Sequence, residues 1–191
     1  MFAGLRPLAA PRSEGKKTKE ISRSHKLIRE KSGLITIIGG KWTTYRKMAQ
    51  DTLDLAIRYM HIPTKDCITE RYQIHGSRKN PDFSDPLYVY GTDADEIRNL
   101  VASSPAMAEK LHPDYAYTVG EVTWLVRNEM PRTLEDVLAR RLRILFLDAR
   151  AAMAMAPKVA GILATEWGKD ETWTSAQVKA FNEVASNYIL N

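Results

Sequence analysis

The first apolar runs of the chain predict a β-hairpin. Residues 25–30 and 34–38 are two short β-prone runs, and the Lys-Ser-Gly tripeptide that ends at Gly33 suits a tight connection between them, because glycine accepts a positive φ. The second run, Leu-Ile-Thr-Ile-Ile, is β-branched and nearly all apolar, which favours a buried strand over one with a single covered face. Gly39 and Gly40 should end this strand.

The residues after the two glycines predict a helix. Thr43 or Thr44 can cap its start, and Pro63 requires the helix to end before it. Apolar or small side chains recur at intervals of three and four, which is the pattern of one buried helix face. The members of this predicted face are Tyr45, Met48, Ala49, Thr52, Leu53, Ala56 and Met60.

From about residue 87 the apolar positions follow helical periods, and these patterns predict a mainly α fold. Residues 1–60 hold the hairpin and the strand–helix unit, 61–86 form a linker rich in proline and glycine, and 87–191 form an all-helical C-terminal domain. The first predicted helices cover 93–103 and 118–129, the second of them with a capping box at 118–121, and a third is capped by Thr133. A long helix is predicted at 148–167, kinked or divided at Pro157 and followed by Gly168. The last predicted helix runs from a capping box at 174–177 to Leu190.

Composition excludes several kinds of site. The single cysteine, Cys67, rules out an intrachain disulfide and a multi-cysteine metal site. None of the four histidines has metal-ligand spacing, so we predict no metal site. No apolar run approaches the roughly 18 to 20 residues that a membrane-spanning helix needs.

The basic charge of the chain lies in its first quarter. Residues 1–50 hold 12 Lys and Arg against 3 Asp and Glu, whereas residues 51–191 carry a net charge of −4. A basic block of this kind can contact nucleic acid, an acidic membrane surface or an anionic ligand. No RNP motif, zinc finger or basic helix is present, so we predict no nucleic-acid partner.

The Gly39-Gly40 pair predicts a ligand site. Glycines between a strand and a helix let a ligand approach the backbone closely. The first turn of the helix offers unpaired N–H groups and a partial positive charge. Lys41 adds a full positive charge at this point. This combination favours a ligand that is an anion or contains a polar ring.

Several segments resemble FAD-dependent glycerol-3-phosphate dehydrogenases of the D-amino-acid-oxidase-like superfamily. T-I-I-G-G-K-W-T-T-Y-R at 36–46 is similar to the flavin-contacting segment of that family. G-L-R-P-L at 4–8, I-S-R at 21–23 and T-L-E-D-V-L-A-R-R at 133–141 resemble further segments in the same order. Leu142 departs from the family pattern, which has threonine at that position.

The resemblance implies that residues 1–60 are the remnant of an α/β FAD-binding domain. It implies a site in which arginine holds the substrate phosphate, since guanidinium offers a two-pronged set of donors. The implied substrate-binding residues are Arg6, Arg23 and Lys41. The implied cofactor-binding residues are Gly39, Gly40, Lys41, Trp42 and Thr43. Ion pairs between the helical and flavin domains are expected from Arg140, Arg141 and Arg143.

The implied reaction transfers a hydride from C2 of glycerol 3-phosphate to FAD, forms dihydroxyacetone phosphate and passes the electrons to quinone. The chain has neither the G-x-G-x-x-G turn nor the family's proton-accepting histidine. We therefore expect an inactive fragment with no catalytic residue that does not retain FAD. The expected location is cytoplasmic, peripheral at the inner face of the cell membrane, with a homodimer through an open strand edge as one possible assembly.

Two alternatives remain open at this point. One is a glycerol-3-phosphate oxidase of the same superfamily, which passes electrons to O₂. The other is a non-enzymatic helical interaction module whose basic first quarter binds an acidic partner or membrane surface. A polybasic contact would weaken steeply as ionic strength rises, which distinguishes the second alternative.

Overall fold

The computed structural model describes residues 24–189 of the 191-residue chain. The chain divides into two compact units, Met1–Gln73 and Ile74–Asn191. The described part of the first unit holds a hairpin and a helix, and that of the second is built from helices. The mainly α fold class is therefore confirmed. The assignment of 61–86 as a linker between domains at 1–60 and 87–191 stays a prediction.

The first unit begins with the predicted hairpin. Strand β1, His25–Arg29, pairs antiparallel with β2, Ile35–Gly39. Two backbone hydrogen bonds close the turn, from Glu30 N to Leu34 O at 2.9 Å and from Gly33 N to Glu30 O at 3.0 Å. Gly33 has a φ of +91°, which L side chains rarely adopt, so the turn requires glycine. The hairpin prediction is confirmed.

Strand β2 is more exposed than its composition predicts. Leu34, just before the strand, is 59% exposed, and Ile37 is 36% exposed. Among residues 24–189, β2 has one strand neighbour, β1. A strand of this composition is fully buried only where layers cover both faces of a larger sheet. The prediction of a buried strand is therefore wrong for the described part of the chain.

The helix after β2 is α1, Tyr45–Met60, which packs against that strand. The predicted buried face is only partly right. Met48 and Thr52 are half-buried, whereas Tyr45 and Leu53 are 60% and 61% exposed. The apolar residues spread over a wider arc of the helix than a two-stranded sheet can cover, so part of the predicted face lies in solvent.

The second unit contains six α-helices within the described residues. A 3₁₀ turn at Tyr88–Asp93 precedes them, and a π-helix at Asp136–Arg141 lies between the third and fourth of the six. They are α2 (Ala94–Ala102), α3 (Pro105–Ala108), α4 (Val119–Asn128), α5 (Ile144–Leu147), α6 (Ala149–Trp167) and α7 (Glu171–Ser186).

The core of the second unit centres on α4 and α6. These two helices contact each other, α2 packs against α4, and α7 packs against α6. Leu125, Leu138, Met155 and Leu163 are completely buried. Many of the residues that α6 buries are alanines, whose small side chains let neighbouring helices approach closely.

Side-chain caps begin two of the helices where the sequence predicts them. Thr118 Oγ1 accepts a hydrogen bond from Glu121 N at 3.2 Å, and Thr133 Oγ1 accepts one from Asp136 N at 3.2 Å. The predicted caps at Thr118 and Thr133 are confirmed. The carboxylate of Glu121, the other half of the first capping box, also accepts a hydrogen bond from Tyr90.

Helix α7 begins earlier than the sequence predicts. Its cap is Asp170, whose Oδ1 accepts a hydrogen bond from Trp173 N at 2.8 Å. Thr174 lies inside the helix, and its hydroxyl donates to the backbone oxygen of Asp170 at 3.1 Å. The capping box predicted at 174–177 is therefore wrong. Gly168 ends α6, and Asp170 offers a cap acceptor only two residues later.

Two further boundaries differ from the prediction. Helix α6 runs without interruption through Pro157, so the alternative of a separate second segment is wrong. A proline removes one backbone N–H donor, which the remaining hydrogen bonds of a helix this long can offset. Helix α7 ends at Ser186, short of the predicted end at Leu190.

Candidate functional site

The strand–Gly-Gly–helix turn forms where the sequence predicts it. Strand β2 ends at Gly39, and Gly39 and Gly40 have φ values of +77° and +81°. Two successive positive φ values favour glycine at both positions. Lys41 returns to an extended conformation, and a 3₁₀ turn at Trp42–Thr44 leads into α1.

Gly40 is buried and closely packed. A Cβ on Gly40 would lie 2.5 Å from Met48 Sδ and 3.3 Å from His25 Cβ. The missing side chain therefore lets α1 and β1 close over the turn. This packing role is one that the sequence did not predict, and it adds to the conformational reason for glycine at this position.

The residues after Gly40 are exposed and lie at the start of the 3₁₀ turn. Trp42 is 87% exposed, and Lys41 and Thr43 are also exposed. Thr44 Oγ1 accepts from Lys41 N at 3.3 Å and donates to Lys41 O at 2.9 Å. The Thr44 side chain therefore stabilises the 3₁₀ turn and does not cap α1, which corrects the predicted cap.

A three-residue ionic cluster beside this turn was not predicted. His25 Nε2 lies 2.9 Å from Asp51 Oδ2, and Lys47 Nζ lies 2.9 Å from Asp51 Oδ1. The hydrogen bond from Lys47 lowers the pKa of Asp51, and His25 adds to this effect. The same bond raises the pKa of Lys47. The cluster links β1 to α1 next to Gly40.

The register of the hairpin was the signal that could have placed His25 at the site. His25 pairs with Gly39, and the pairing continues to Arg29 with Ile35 at the turn. Counting outward from Ser32, the middle residue of the connection, along both strands brings His25 opposite Gly39. Asp51 could not be found in this way, because its contact with His25 depends on how α1 packs.

Arg46, in the first turn of α1, holds a later segment of the first unit. Its guanidinium donates to Thr69 Oγ1 at 3.2 Å and lies 3.3 Å from Glu70 Oε1. It also lies 3.8 Å from Cys67 Sγ. A hydrogen bond from Thr69 lowers the pKa of the Cys67 thiol, and the charge of Arg46 adds to that effect.

The start of α1 is therefore rich in positive charge. Lys41, Arg46 and Lys47 lie within seven residues, and Arg46 and Lys47 are paired with the carboxylates of Glu70 and Asp51. Lys41 has no ion pair among the salt bridges of the described residues. Of these three cations, Lys41 is therefore the one that is not paired with a carboxylate of the described residues, and it lies just before the 3₁₀ turn.

Two of the predicted substrate-binding residues, Arg6 and Arg23, lie outside the described residues, as do the motifs at 4–8 and 21–23. The structure places Gly39, Gly40 and Lys41 with Trp42 and Thr43 in one continuous turn.

Two of the three arginines expected to join the domains, Arg140 and Arg141, make ion pairs inside the second unit. Arg140 pairs with Glu135 at 2.8 Å and with Asp136 at 3.1 Å. Arg141 pairs with Glu129 at 3.3 Å and donates to the backbone oxygen of Asp136. These contacts brace the π-helix. Any role of the arginines between domains stays a prediction.

Comparison with known proteins covers almost the whole chain. A family model described as the C-terminal domain of alpha-glycerophosphate oxidase matches residues 34–174. A probable mitochondrial glycerol-3-phosphate dehydrogenase from Caenorhabditis elegans is 34% identical over 98% of this chain and 28% of its own length. Mitochondrial glycerol-3-phosphate dehydrogenases from Arabidopsis thaliana and Mesocricetus auratus are 31% and 30% identical, over 97% and 98% of this chain. The chain spans 37% and 28% of the lengths of these two relatives.

The comparisons correct the expected location. These relatives are named as mitochondrial proteins, so the expectation of a cytoplasmic protein at the inner face of the cell membrane is wrong. Within residues 24–189, no helix combines the length and the apolar character needed to cross a membrane.

Proposed function

Because the chain belongs to the family of the C-terminal domain of alpha-glycerophosphate oxidase, we propose that it is the C-terminal part of an FAD-dependent glycerol-3-phosphate dehydrogenase. The family match confirms the resemblance that the sequence motifs indicate. The proposed reaction oxidises sn-glycerol 3-phosphate to dihydroxyacetone phosphate. FAD, when bound, supplies the acceptor for the hydride that leaves C2 of the substrate.

The observation that carries this proposal is the turn at Gly39 and Gly40. The exposed residues 41–43 are accessible to a planar ring, and the positive φ values of Gly39 and Gly40 let the chain turn beside them. Lys41 adds a full charge to the partial positive charge of the helix N-terminus. Positive charge there stabilises negative charge at the pyrimidine edge of a flavin. The residues of the turn therefore fit the cofactor.

The neighbouring side chains complete the proposed cofactor contact. Trp42, 87% exposed, offers an apolar plane beside the ring. Thr43 offers a hydroxyl and a backbone N–H in the first turn of the 3₁₀ segment. The contact between His25 and Asp51 holds β1 against α1 and so stabilises the turn between β2 and α1.

We assign the substrate phosphate to Arg6 and Arg23, with Lys41 between phosphate and flavin. A phosphate dianion requires several fixed cationic donors, and guanidinium groups provide them in a planar fork. For Arg6 and Arg23 the assignment rests on the sequence motifs alone.

Quinone is the proposed electron acceptor, and the proposed location is mitochondrial, with a peripheral contact at the membrane that supplies the quinone. The support is that the relatives quoted above are named mitochondrial dehydrogenases. A second candidate is O₂ as the acceptor, which the oxidase in the family description favours. Formation of hydrogen peroxide in step with substrate consumption would identify the oxidase; its absence, with reduction of a quinone analogue, would identify the dehydrogenase.

The chain alone is proposed to be inactive and to retain no FAD. Its sequence has no G-x-G-x-x-G turn for the ADP half of the cofactor, and the residues of its Gly39-Gly40 turn would hold only the flavin end. The flavin absorbance of the purified 191-residue chain measures this directly. A stoichiometric flavin spectrum would contradict the proposal.

A lysine substitution in the full-length protein tests the role of the turn. Lys41→Met should lower kcat/KM for glycerol 3-phosphate by about 100-fold, because it removes a charge placed where negative charge develops. Lys31→Met, in the exposed turn of the hairpin, is the matched control and should leave kcat/KM unchanged. Equal values for both variants and the unmodified protein would contradict the proposed site.

A further inference from the structure

A cavity of about 380 Å³ lies in the second unit, between residues 85–87, α2, α3 and the start of α4. This volume falls within the range of about 300 to 1,000 Å³ that is typical of small-molecule sites. It equals the volume of about a dozen water molecules, so a ligand of roughly that many non-hydrogen atoms fits. The apolar part of its wall comes from Leu87, Ile97, Val101, Ala102, Ala108 and Ala116.

Glu121 is the one buried acidic residue in the lining of this cavity. Glu121 is 4% exposed, and its Oε1 accepts a hydrogen bond from the Tyr90 hydroxyl at 2.7 Å. Burial raises the pKa of Tyr90, which keeps that hydroxyl protonated as a donor. The backbone N–H of Thr118 also interacts with the carboxylate. A carboxylate can accept about four hydrogen bonds, so capacity remains for a donor in the cavity.

The charge of Glu121 is only partly compensated by its surroundings. Burial raises the pKa of Glu121 despite its contacts with Tyr90 and Thr118. The one cation in the lining is Arg98, whose guanidinium is already paired with Asp85 and with Asp95. The lining therefore carries two carboxylates and a single shared guanidinium, which favours a cationic ligand.

We propose that this cavity is a binding site for a small organic amine, with the ammonium group on the Glu121 carboxylate and the apolar body against Ile97, Val101 and Leu87. A buried carboxylate at one end of an apolar wall provides both a charge partner and a hydrophobic contact for such a molecule. The site lies wholly within the second unit and does not depend on the Gly39-Gly40 turn.

Three probes of one shape but different charge test the proposal on the 191-residue chain. They are 2-phenylethylamine as the cation, 2-phenylethanol as the neutral analogue and phenylacetate as the anion. Binding is followed at pH 7 by the shifts of backbone amide signals in ¹H–¹⁵N NMR spectra. The amine should shift the signals of Val101, Ala102 and Ala116 and bind at least 10-fold more tightly than the alcohol, and phenylacetate should not bind.

Two variants tie the binding to this cavity. Glu121→Gln keeps the acceptor for Tyr90 but removes the charge, and should weaken amine binding at least 10-fold. Ala102→Trp adds a bulky side chain to the lining at the exposed end of α2, leaves the charge of Glu121 in place and should abolish binding. Glu183→Gln, an exposed carboxylate on α7, is the matched control and should bind the amine normally.

Each result decides for or against the site. Preference for the amine that both cavity variants lose supports the proposal, and Ala102→Trp gives that answer even if Glu121→Gln folds poorly. Equal binding of amine and alcohol, unchanged binding by the variants, or no shifts at millimolar amine would each overturn it.

Discussion

Gly91 lies directly against the backbone of Gly76. A Cβ on Gly91 would be 1.6 Å from the carbonyl oxygen of Gly76, and Thr92 N donates to the same oxygen at 3.1 Å. Gly91 has a φ of +56° and a ψ of −121°, a region that side chains with a Cβ hardly occupy. This contact fastens the first residues of the second unit to the turn before α2.

Alanine at position 91 should therefore be poorly tolerated. We expect Gly91→Ala to lower the free energy of unfolding of the second unit by about 3 kcal/mol or more, since the Cβ adds both strain and a clash with backbone. Urea denaturation followed by circular dichroism measures this. Gly161→Ala is the control: outside the local helix backbone no atom lies within 4 Å of its Cβ position, so a gain of about 0.5 to 1 kcal/mol is expected in mid-helix. An unchanged midpoint for Gly91→Ala would contradict the close contact.

The start of α7 can be tested by comparing its two candidate caps. Asp170→Ala should cost about 1 kcal/mol of stability, because it removes the acceptor for Trp173 N. Thr174→Ala should cost less than about 0.5 kcal/mol, since its hydroxyl only bonds back within the helix. Thermal denaturation of the two variants gives the comparison. A larger loss at Thr174 would mean that the helix starts where the sequence alone suggested.

Glu121 should give the stability of the second unit a defined pH dependence. Burial raises the pKa of Glu121 above its usual value of 4.5. Between pH 4.5 and this raised pKa, the folded chain therefore holds a proton that the unfolded chain has already lost. Stability from this group is complete below pH 4.5 and decreases as pH rises through the folded pKa. Glu121→Gln has no proton to lose in this range, so its stability relative to the unmodified chain should increase as pH rises above 4.5.

Urea denaturation at a series of pH values measures the difference, with Glu183→Gln as the exposed control. Parallel pH profiles for Glu121→Gln and the unmodified chain would show that Glu121 is not held in a costly environment.

A substitution at Gly40 should affect both the packing of the first unit and the proposed cofactor contact. Gly40→Ala introduces a Cβ at φ +81° and 2.5 Å from Met48 Sδ, which should destabilise the turn by about 1 to 3 kcal/mol. In the full-length protein we expect less FAD per chain, measured by flavin absorbance. Adding Met48→Ala relieves the contact but not the backbone strain, so FAD content should recover only in part. Full FAD content in Gly40→Ala would argue against a tight turn at the cofactor.

Local signals account for what the sequence predicted correctly. The hairpin depends on Gly33 and its flanking strands, and the turn after β2 depends on Gly39 and Gly40, so residues close in sequence determine both. The caps at Thr118 and Thr133 are likewise set by bonds to residues three positions away.

Most of the incorrect or missing predictions concern features that depend on residues far apart in the sequence. The exposure of β2 depends on which strands lie beside it, and composition cannot supply that information. The contacts of Glu121 with Tyr90 and of His25 with Asp51 join residues 31 and 26 positions apart, so no local pattern marks them. The prediction of where α7 begins was wrong for a different reason. Asp170 and Thr174 are both suitable cap residues, and Asp170 comes first in the sequence.

The most direct test of the proposed function uses the full-length protein under anaerobic conditions. Glycerol 3-phosphate is added, and the absorbance of the oxidised flavin is followed, with glycerol as the control that lacks the phosphate. We predict bleaching by glycerol 3-phosphate that is lost in Arg6→Ala, and no bleaching by glycerol. A protein that carries FAD but is not bleached by glycerol 3-phosphate would contradict the proposed substrate.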